Sequence, residues 1–436
     1  MLQTLFYIPD AIGGWPVFGW GLLALLWAAW SAVHLGFVSF RFGWSPELRA
    51  ALLTAVIVQL VLIFVTPHLI DRDPETHLSR GGIAIRGYGV MLLAGIVSGV
   101  SLTIYRARRV GVPDDVVLSL ALWVFAAGMI GARVFYVVEY WDHFQRPTIQ
   151  ETVIAALNMT QGGLVVFGGF IGAISALLGF TYVHKLPLLA TLDLSAPGMT
   201  LGLALGRIGC FFNGCCFGDA CALPWAVEFP VDSPPYQRQV EQGRAFGFLL
   251  VGVPDDTRGG VPAPLAASVE PGSPAERAGL QPNERFQRID GREVASLAEA
   301  REALRAAVQD EHLPLQIDTD RGRRRIEMLP EFQSHSRAVH PTQIYSAVDA
   351  LLLTWLLLAY QPLRRRDGET FALLLVVHPI SRFLLEVIRI DEPSVFGTGL
   401  SISQNISVLL LACGVGLWVW LERRPRGFAW PQVATA

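Results

Sequence analysis

Long apolar runs separated by short polar segments dominate the pattern along the chain. A helix that spans a membrane needs about 20 mostly apolar residues. Nine runs approach that length, and each predicts one spanning helix. They cover residues 17–38, 48–70, 88–105, 116–138, 164–183, 196–212, 344–360, 371–388 and 402–421. The pattern therefore predicts an all-α polytopic membrane protein with about nine transmembrane helices.

A charged segment at residues 242–332 interrupts the apolar runs and predicts a small inserted α+β domain. Ser273 fits the N-cap of a first helix and Pro274 its first turn. Asp290-Gly291 marks a tight turn between two strands. Ser296 fits the N-cap of a second helix, which a final hairpin follows. We therefore expect strands alternating with two helices.

This alternation resembles a PDZ domain, and the GSPAERAGL and IDGREV motifs carry the resemblance. PDZ domains bind an extended peptide by adding it to a sheet edge. Residues 246–248 (FGF) are similar to the loop that holds the peptide carboxylate in such domains. The resemblance implies an extended peptide as a partner. An insert with a structural role and no ligand is the alternative.

The composition agrees with a membrane protein. Of the 436 residues, 52% are hydrophobic and only 16% are charged, whereas a soluble chain carries about a quarter charged residues. The formal net charge of −3 gives no sign of nucleic-acid binding. The first residues have no basic region or cleavage site before their apolar run, so we expect no cleaved signal peptide.

Basic residues cluster in short loops, where they set the orientation of membrane helices. The clusters lie at residues 106–109, 184–185, 364–366 and 423–426. Alternation of nine spans puts all four clusters on one side, which is the predicted cytoplasmic side. The N-terminus and the insert are then predicted to lie outside, and the C-terminus in the cytoplasm.

Several charged side chains lie inside the apolar spans, where charge is costly and usually serves a function. Arg382, Glu386 and Arg389 are spaced to share one face of a helix. Arg207 and Arg133 lie near the outer ends of two other spans. Converging arginines predict a phosphate site, because the guanidinium fork matches phosphate geometry. Snorkelling to the interface is the alternative, and it explains Arg389 better than Arg382.

Four of the five cysteines fall within twelve residues, at Cys210, Cys215, Cys216 and Cys221. Their spacings do not match the paired cysteines of the usual structural zinc sites, which argues against a metal. Small packing residues are the leading interpretation, and a disulfide from Cys215 or Cys216 to Cys221 is the second. A nucleophilic cysteine with Arg207 as its neighbouring cation is a third.

Seven motifs, taken in order, resemble the prolipoprotein diacylglyceryl transferase family. They are RGYGVMLLAG (86–95), GARVFYVVEYW (131–141), GGLVVFGGFIG (162–172), GRIGCFFNGCCFG (206–218), PWAVEFP (224–230), HPTQIYSA (340–347) and SRFLLEVIRIDEP (381–393). The resemblance implies a transferase-like membrane domain in two parts, with the PDZ-like insert between them. The implied divisions are an extra pair of spans at 1–75, membrane-domain parts at 76–241 and 333–425, the insert at 242–332, and a tail at 426–436.

The resemblance also implies an activity in a bacterial inner membrane. The family transfers a diacylglyceryl group from phosphatidylglycerol to the lipobox cysteine thiol of a prolipoprotein, forming a thioether and releasing glycerol phosphate. It requires no metal or soluble cofactor, and its partners are phosphatidylglycerol and prolipoprotein signal peptides. The implied catalytic residues are Arg207, Arg382, Glu386 and Tyr88. The implied phosphatidylglycerol-binding residues are Arg207, Arg389, Asn213, Gly168, Gly169 and Arg133.

The chain departs from the family pattern at the position of an expected base. Phe167 stands where many members have a histidine, and Cys210 and Cys215 stand where many have an asparagine and a glutamate. Glu386, Tyr88 and His340 are alternative bases, or arginines lower the pKa of the substrate thiol without one. A non-catalytic paralogue that binds lipid or lipoprotein is the alternative function. A PDZ-containing intramembrane protease needs HExxH, which this sequence lacks.

Overall fold

The computed structural model describes residues 3–72, 79–157, 163–253, 262–389, 395 and 397–430. The chain divides into two compact units, Met1–Val90 and Met91–Ala436. The helices are α1 Leu22–Phe42, α2 Pro46–Leu60, α3 Gly87–Arg109, α4 Asp114–Glu139, α5 Trp141–Phe144, α6 Ile149–Leu157, α7 Val166–Val183, α8 Leu188–Asn213, α9 Pro234–Glu241, α10 Pro274–Arg277, α11 Leu297–Gln309, α12 Thr342–Tyr360, α13 Glu369–Glu386 and α14 Ile402–Glu422. The strands are β1 Thr4–Ile8, β2 Ala11–Ile12, β3 Trp15–Pro16, β4 Asp71–Arg72, β5 Ser79–Arg86, β6 Phe248–Val253, β7 Ala263–Val269, β8 Phe286–Ile289, β9 Arg292–Glu293, β10 Leu315–Thr319 and β11 Gly322–Ile326.

The first unit combines a small sheet with two apolar helices. Strand β5 lies between β1 and β4 and is antiparallel to both. Helix α1 packs on α2, and a π-helical turn and a 3-10 turn extend α2 to Leu69. Ser45 caps α2 as an N-cap should, because its Oγ accepts from the backbone N–H of Leu48 at 3.3 Å.

Eight helices of the described chain are long and apolar enough to cross a membrane. They correspond to eight of the nine predicted spans. The remaining predicted span, 371–388, forms helix α13. This helix is not among the eight because it carries three charged side chains, Glu369, Arg382 and Glu386. Many large apolar side chains on the spanning helices are exposed, such as Phe40 (94%) and Trp355 (69%). A protein surrounded by lipid exposes such surface without the cost it has in water.

Helix α8 lies at the centre of the second unit. Half of the residues in its most apolar stretch are buried, a larger share than in any other spanning helix described. Glycines let its neighbour α3 approach closely, because a Cβ at Gly99 would lie 2.6 Å from the carbonyl oxygen of Gly198. Helix α12 also packs along α8, and α13 packs between α12 and α14. This central position lets both ends of α8 contribute to charged clusters.

The inserted segment folds around its own hydrophobic core, as its sequence predicts in outline. One antiparallel sheet has the strand order β11-β10-β8-β9, and β6 and β7 form a separate antiparallel pair. The predicted caps are confirmed: Ser273 Oγ accepts from the N–H of Glu276, and Ser296 Oγ accepts from that of Glu299, each at 3.2 Å. The predicted turn at Asp290-Gly291 joins β8 to β9.

The core of the insert also takes in α9, which precedes residue 242. Tyr236 and Val240 of α9 are buried with side chains of β6, β8 and α11. The Tyr236 hydroxyl donates to the carbonyl of Phe332 at 2.9 Å. The carbonyl of Gln242 accepts from the N–H of Leu250 at 2.8 Å. The chain entering the insert therefore lies along the edge of β6.

Candidate functional site

The last turns of α8 present Arg207 and Asn213, the two residues that the sequence singles out there. Arg207 is half-buried, and no hydrogen bond or ion pair of its guanidinium occurs within the described residues. Asn213 is the last residue of α8, and Gly214 ends the helix in the left-handed region at φ 75°. An arginine held in this apolar setting keeps its five donors available for an anion.

The end of α13 holds the second predicted charge cluster. The carboxylate of Glu386 accepts from Arg382 and lies 3.7 Å from Nη1 of Arg389. Arg382 also donates to the hydroxyl of Ser403 at 3.0 Å, and Ser401 donates to Glu386 at 3.4 Å. Glu386 is 5% exposed, so a paired carboxylate lies between two arginines. It contacts both of them rather than one.

A short backbone ladder joins these two helix ends. The N–H of Gly218 donates to the carbonyl of His340 at 3.0 Å, and the N–H of Asp219 donates to that of Ile388 at 3.2 Å. Gly218 pairs with Arg389 in an isolated bridge. A Cβ at Gly218 would lie 2.7 Å from the Cβ of His340, so this position requires glycine. Three motifs far apart in sequence therefore meet here, and the charges of Arg389 and Arg207 both act on Arg382.

Sequence reasoning missed two polar residues beside this cluster, His378 and Asp349. His378 lies on α13, and its Nδ1 is buried without a hydrogen-bond partner in the described part of the chain. The charges of Asp349 and Arg207 act on it. Asp349 on α12 accepts from the hydroxyl of Ser381 at 2.9 Å. In the sequence, each of these residues appears only as a polar residue within an apolar span. Neither span indicates that α12 and α13 bring the two side chains together.

His340 has a different environment. Its Nδ1 lies 3.4 Å from the hydroxyl of Tyr345, which accepts from the indole N–H of Trp225 at 2.8 Å. These contacts connect the HPTQIYSA motif to the PWAVEFP motif. His340 thus contacts Tyr345 of the following helix α12, and Tyr345 in turn contacts the loop that leads to the insert.

Arg133, Gly168 and Gly169 lie at the contact of α4 with α7. The Arg133 guanidinium donates to the carbonyls of Ala156 at 2.7 Å and Gly163 at 3.0 Å. A Cβ at Gly168 would lie 2.3 Å from the carbonyl oxygen of Gly131, so close helix packing requires this glycine. Gly169 has more room, because a Cβ there would lie 3.5 Å from the carbonyl oxygen of Gly128.

Tyr88 belongs to the first unit, in the first turn of α3, where its side chain is 40% exposed. The five cysteines are free thiols. The sulfur atoms of Cys210, Cys215 and Cys216 converge within 4.8 Å of one another, while Cys221 lies outside that group. The disulfide to Cys221 that the sequence allows is therefore not formed.

Comparison with known proteins shows the family to which the chain belongs. The family model described as prolipoprotein diacylglyceryl transferase matches residues 76–420. A phosphatidylglycerol–prolipoprotein diacylglyceryl transferase of Rhodopirellula baltica is 36% identical over 95% of this chain and 88% of its own length.

Other relatives with that name match a smaller part of the chain. The protein of Trichormus variabilis is 36% identical over 36% of this chain and 53% of its own length, and the one of Clostridioides difficile is 36% identical over 34% and 57%. With eight apolar helices and a family match over most of its length, the chain is a multi-pass membrane protein of the prolipoprotein diacylglyceryl transferase family.

Proposed function

We propose that the protein transfers the diacylglyceryl group of phosphatidylglycerol to the lipobox cysteine of prolipoproteins. The observation that carries this proposal is the half-buried guanidinium of Arg207, which has no hydrogen bond or ion pair among the described residues. Beside it, Arg382 and Arg389 are held by Glu386. Phosphatidylglycerol brings a phosphodiester, which such a fork binds in two-point fashion.

The arginines would act on the charge that develops as the ester bond breaks. The thiol gives its proton to a base, its sulfur attacks the glycerol carbon, and the bond from that carbon to the phosphate oxygen breaks. Glycerol phosphate leaves with the electron pair, so negative charge grows on it. Fixed donors in a setting of low dielectric stabilise such charge strongly. We assign this role to Arg207 and Arg382. Glu386 positions Arg382 and Arg389.

The remaining predicted residues take supporting roles in this proposal. Arg389 and Asn213 bind the head group of phosphatidylglycerol at the ends of α13 and α8. Gly168 keeps α7 close to α4, with Gly169 beside it, and Arg133 holds the chain around residue 163 through backbone carbonyls. Tyr88 stays a candidate for catalysis from the start of α3. His378 joins the candidates for the base, because its Nδ1 is buried and without a partner in the described part of the chain.

We also propose an orientation in a bacterial inner membrane, with α13 as a ninth crossing. Three of the four basic clusters that predict the cytoplasmic side, at 106–109, 364–366 and 423–426, lie at one end. Arg106 donates to the side chain of Gln361 at 3.0 Å, and Arg366 donates to the carbonyl of Arg424 at 2.9 Å. The end with Arg207 then faces outward, where prolipoprotein signal peptides present their cysteine.

For the insert we propose a PDZ-like fold with a structural role. The order of strands and helices, from β6 to β11, supports the fold. The edge of β6 is already in contact with the preceding chain, since Gly243 and Gln242 accept from Phe248 at 3.3 Å and from Leu250 at 2.8 Å. That contact favours the structural alternative over an added peptide strand. Titration of the full-length protein with labelled peptides that end in a free carboxylate would test it, and saturable binding would contradict it.

The direct test of the transferase is mass spectrometry of a model lipobox peptide. We expect the purified protein in phosphatidylglycerol vesicles to add one diacylglyceryl mass to the cysteine-containing peptide. A peptide with serine in place of that cysteine, and vesicles of phosphatidylethanolamine, serve as controls and should give no product. A folded protein that binds phosphatidylglycerol but yields no product would instead support the non-catalytic paralogue.

A further inference from the structure

A narrow cleft lies between the inserted segment and the backbone that joins the ends of α8 and α13. Residues 217–220 line one side of this cleft. The other side is formed by α9 and the turn that follows it, with the side chains of Arg238, Gln239, Gln242 and Arg244. The side that belongs to the insert is therefore rich in hydrogen-bond donors, and two of its groups are guanidinium groups.

The wall at residues 217–220 is shared between the cleft and the candidate site. The N–H of Asp219 donates to the carbonyl of Ile388 at 3.2 Å, and Gly218 pairs with Arg389 in an isolated bridge. Arg389 is one of the arginines proposed to bind the head group of phosphatidylglycerol. A single stretch of backbone therefore separates the cleft from the proposed head-group site.

Arg238 of α9 is half-buried in this cleft, and its guanidinium has no hydrogen bond or ion pair within the described residues. Glu241, the nearest carboxylate along the chain, lies 3.5 Å from Nη1 of Arg305 instead. An arginine without a ligand can extend into water, as the exposed Arg325 of β11 does. Partial burial of an unpaired charge is unfavourable, and a bound anion would remove that cost.

Arg244 contributes the second guanidinium, and one of its nitrogens is already in use. Its Nε donates to Oε1 of Gln242 at 3.1 Å, and its Nη2 lies 3.5 Å from Oδ1 of Asp219. That carboxylate oxygen also accepts from the N–H of Ala220 at 2.7 Å. The Nη groups of Arg244 therefore keep donors for an anion, because a guanidinium has five N–H donors in all.

The cleft is held in shape by contacts on the side of the insert. Gln239, which is 4% exposed, accepts from the N–H of Arg337 at 2.9 Å and donates to its carbonyl at 3.2 Å. These two bonds fix α9 against the chain that returns from the insert. The lining residues include two arginines and one carboxylate, that of Asp219. The cleft thus combines an excess of one positive charge with a fixed shape, which lowers the cost of binding an anion.

We propose that Arg238 and Arg244 bind a phosphomonoester, and that this ligand is the glycerol phosphate released by lipid transfer. The second half of the proposal rests on the proposed transferase function. The phosphodiester of phosphatidylglycerol carries one negative charge, whereas a phosphomonoester carries about −1.5 to −2 at pH 7. The cleft therefore favours the product over the intact lipid. The acyl chains also keep the lipid in the membrane, while glycerol phosphate is free to leave Arg389 for the cleft.

This second site would clear the product from the arginines of the first. In many enzymes the release of product limits the steady-state rate. Loss of the cleft site should therefore leave the first turnover unchanged and slow the turnovers that follow. The double variant Arg238→Ala/Arg244→Ala should show a burst of lipid transfer at the wild-type rate and then a lower steady-state rate. A steady-state rate equal to that of the wild type would refute the role in clearing product.

Binding of radiolabelled glycerol phosphate to the full-length protein in detergent, without lipid substrate, tests the site itself. The product can also bind at the catalytic arginines, so the measurement is made in an Arg207→Ala background. Arg238→Ala and Arg244→Ala should each weaken binding by about tenfold or more, because each removes hydrogen bonds to a charged group. Arg238→Lys should recover part of the affinity. Arg325→Ala, which removes an exposed arginine, is the control and should leave binding unchanged.

Competition identifies the ligand class. Inorganic phosphate should displace glycerol phosphate, and the phosphodiester glycerophosphoglycerol should displace it more weakly. Equal binding by the Arg238→Ala and Arg325→Ala variants would overturn the site, and so would loss of all binding with Arg207→Ala alone. Binding of inorganic phosphate but not of glycerol phosphate through the two arginines would refute the assigned ligand. Binding of glycerol phosphate through the cleft in a protein without transfer activity would refute the transferase and leave the cleft site in place.

Discussion

Helix α8 carries one charged residue toward each end, and the two ends treat that charge in opposite ways. Asp193, near the start, is fully buried and enclosed by partners. Its carboxylate accepts from Arg364 at 3.1 Å and from the N–H groups of Gly368 and Phe371 at 2.8 Å each. Arg106 donates to the backbone carbonyl of Asp193 at 2.9 Å. This end is a closed charge cluster.

Arg207, fourteen residues further on, lies about 21 Å along the same helix axis. It is half-buried, and in the described residues its guanidinium has neither a hydrogen bond nor an ion pair. Its charged neighbours Arg382 and Arg389 share a single carboxylate, that of Glu386. Among these four groups there are three positive charges and one negative charge. This end therefore has an excess of positive charge and donors to spare.

The difference teaches how to interpret charge inside a membrane protein. A buried ion whose partners are all supplied by the protein holds helices together, and removing one partner leaves the others unpaired at high cost. An ion without protein partners is stable only if something else completes it, and we propose that the anionic head group of a lipid does so for Arg207. The cost of a charge in an apolar span does not separate the two cases; its set of partners does.

The largest effect is expected at the closed end. Asp193→Asn keeps the shape of the side chain but removes the buried charge that pairs with Arg364 at 3.1 Å, so we expect a loss of about 3–5 kcal/mol in the free energy of unfolding. Chemical unfolding in detergent, followed by tryptophan fluorescence, measures it. Asp142→Asn is the control, because Asp142 is exposed. Equal unfolding of the two variants would contradict the assignment of Asp193 as a structural ion.

The next effect is expected at the open end, in activity rather than in stability. Arg207→Ala removes donors from the developing phosphate charge, so we expect the rate of lipid transfer to fall by about 10²–10³-fold. Its unfolding curve should stay close to that of the wild type, because no protein partner is lost. Arg207→Lys should recover part of the rate, since lysine keeps the charge but not the fork.

The comparison of the two ends would fail if the Arg207 variant behaved like the Asp193 variant. Retained transfer with a large loss of stability would make Arg207 a structural residue as well. A matched arginine serves as the control for both measurements. Arg277→Ala in the insert removes an equal charge far from the spans in sequence, and it should change neither the rate nor the unfolding curve.

The fold could be predicted to a large extent because its signals are local. Apolar runs of about 20 residues are recognisable in the sequence alone, and so are the caps at Ser273 and Ser296. The span at 371–388 shows the limit of that method, because the charged side chains of Arg382 and Glu386 reduce the apolar character by which a span is recognised. The insert core extends beyond the predicted boundary, since the burial of Tyr236 depends on Phe332, almost a hundred residues away.

The candidate site could be predicted only as a set of motifs. Arg207 and Arg382 were recognisable because a charge in an apolar run is conspicuous. The sequence could not show which arginine would be paired, because Glu386 can reach either Arg382 or Arg389 on the helix. His378 and the three converging thiols depend on contacts between segments distant in sequence or on a sharp turn. Such contacts leave no periodic pattern.

A moderate effect is expected where two helices meet without any charge. Gly168→Ala would place a Cβ 2.3 Å from the carbonyl oxygen of Gly131, so α7 and α4 must separate. Overpacking of this kind costs about 1–3 kcal/mol of stability. The control is Gly179→Ala on the same helix, which has nothing within 4 Å of the added atom. Equal thermal unfolding of the two variants in detergent would show that the α4–α7 contact tolerates an added atom.

The smallest effect is expected for a charge pair that faces water. Arg337 forms a two-point contact with Glu270, at 2.6 and 2.7 Å, and this contact holds the pKa of Glu270 below its ordinary value. A carboxylate with a lowered pKa stabilises the fold above its unfolded pKa of about 4.3, and that stability is lost as the pH falls through the lower folded pKa. The side chains are partly exposed, so we expect the pair to contribute at most about 1 kcal/mol to the free energy of unfolding.

Glu270→Gln should therefore lower the unfolding midpoint at pH 7 slightly and not at pH values below the folded pKa. Glu302→Gln, an exposed carboxylate on α11, should show no such difference. A Glu270→Gln deficit that persisted in acid would mean that the carboxylate stabilises the fold by its shape and not by its charge.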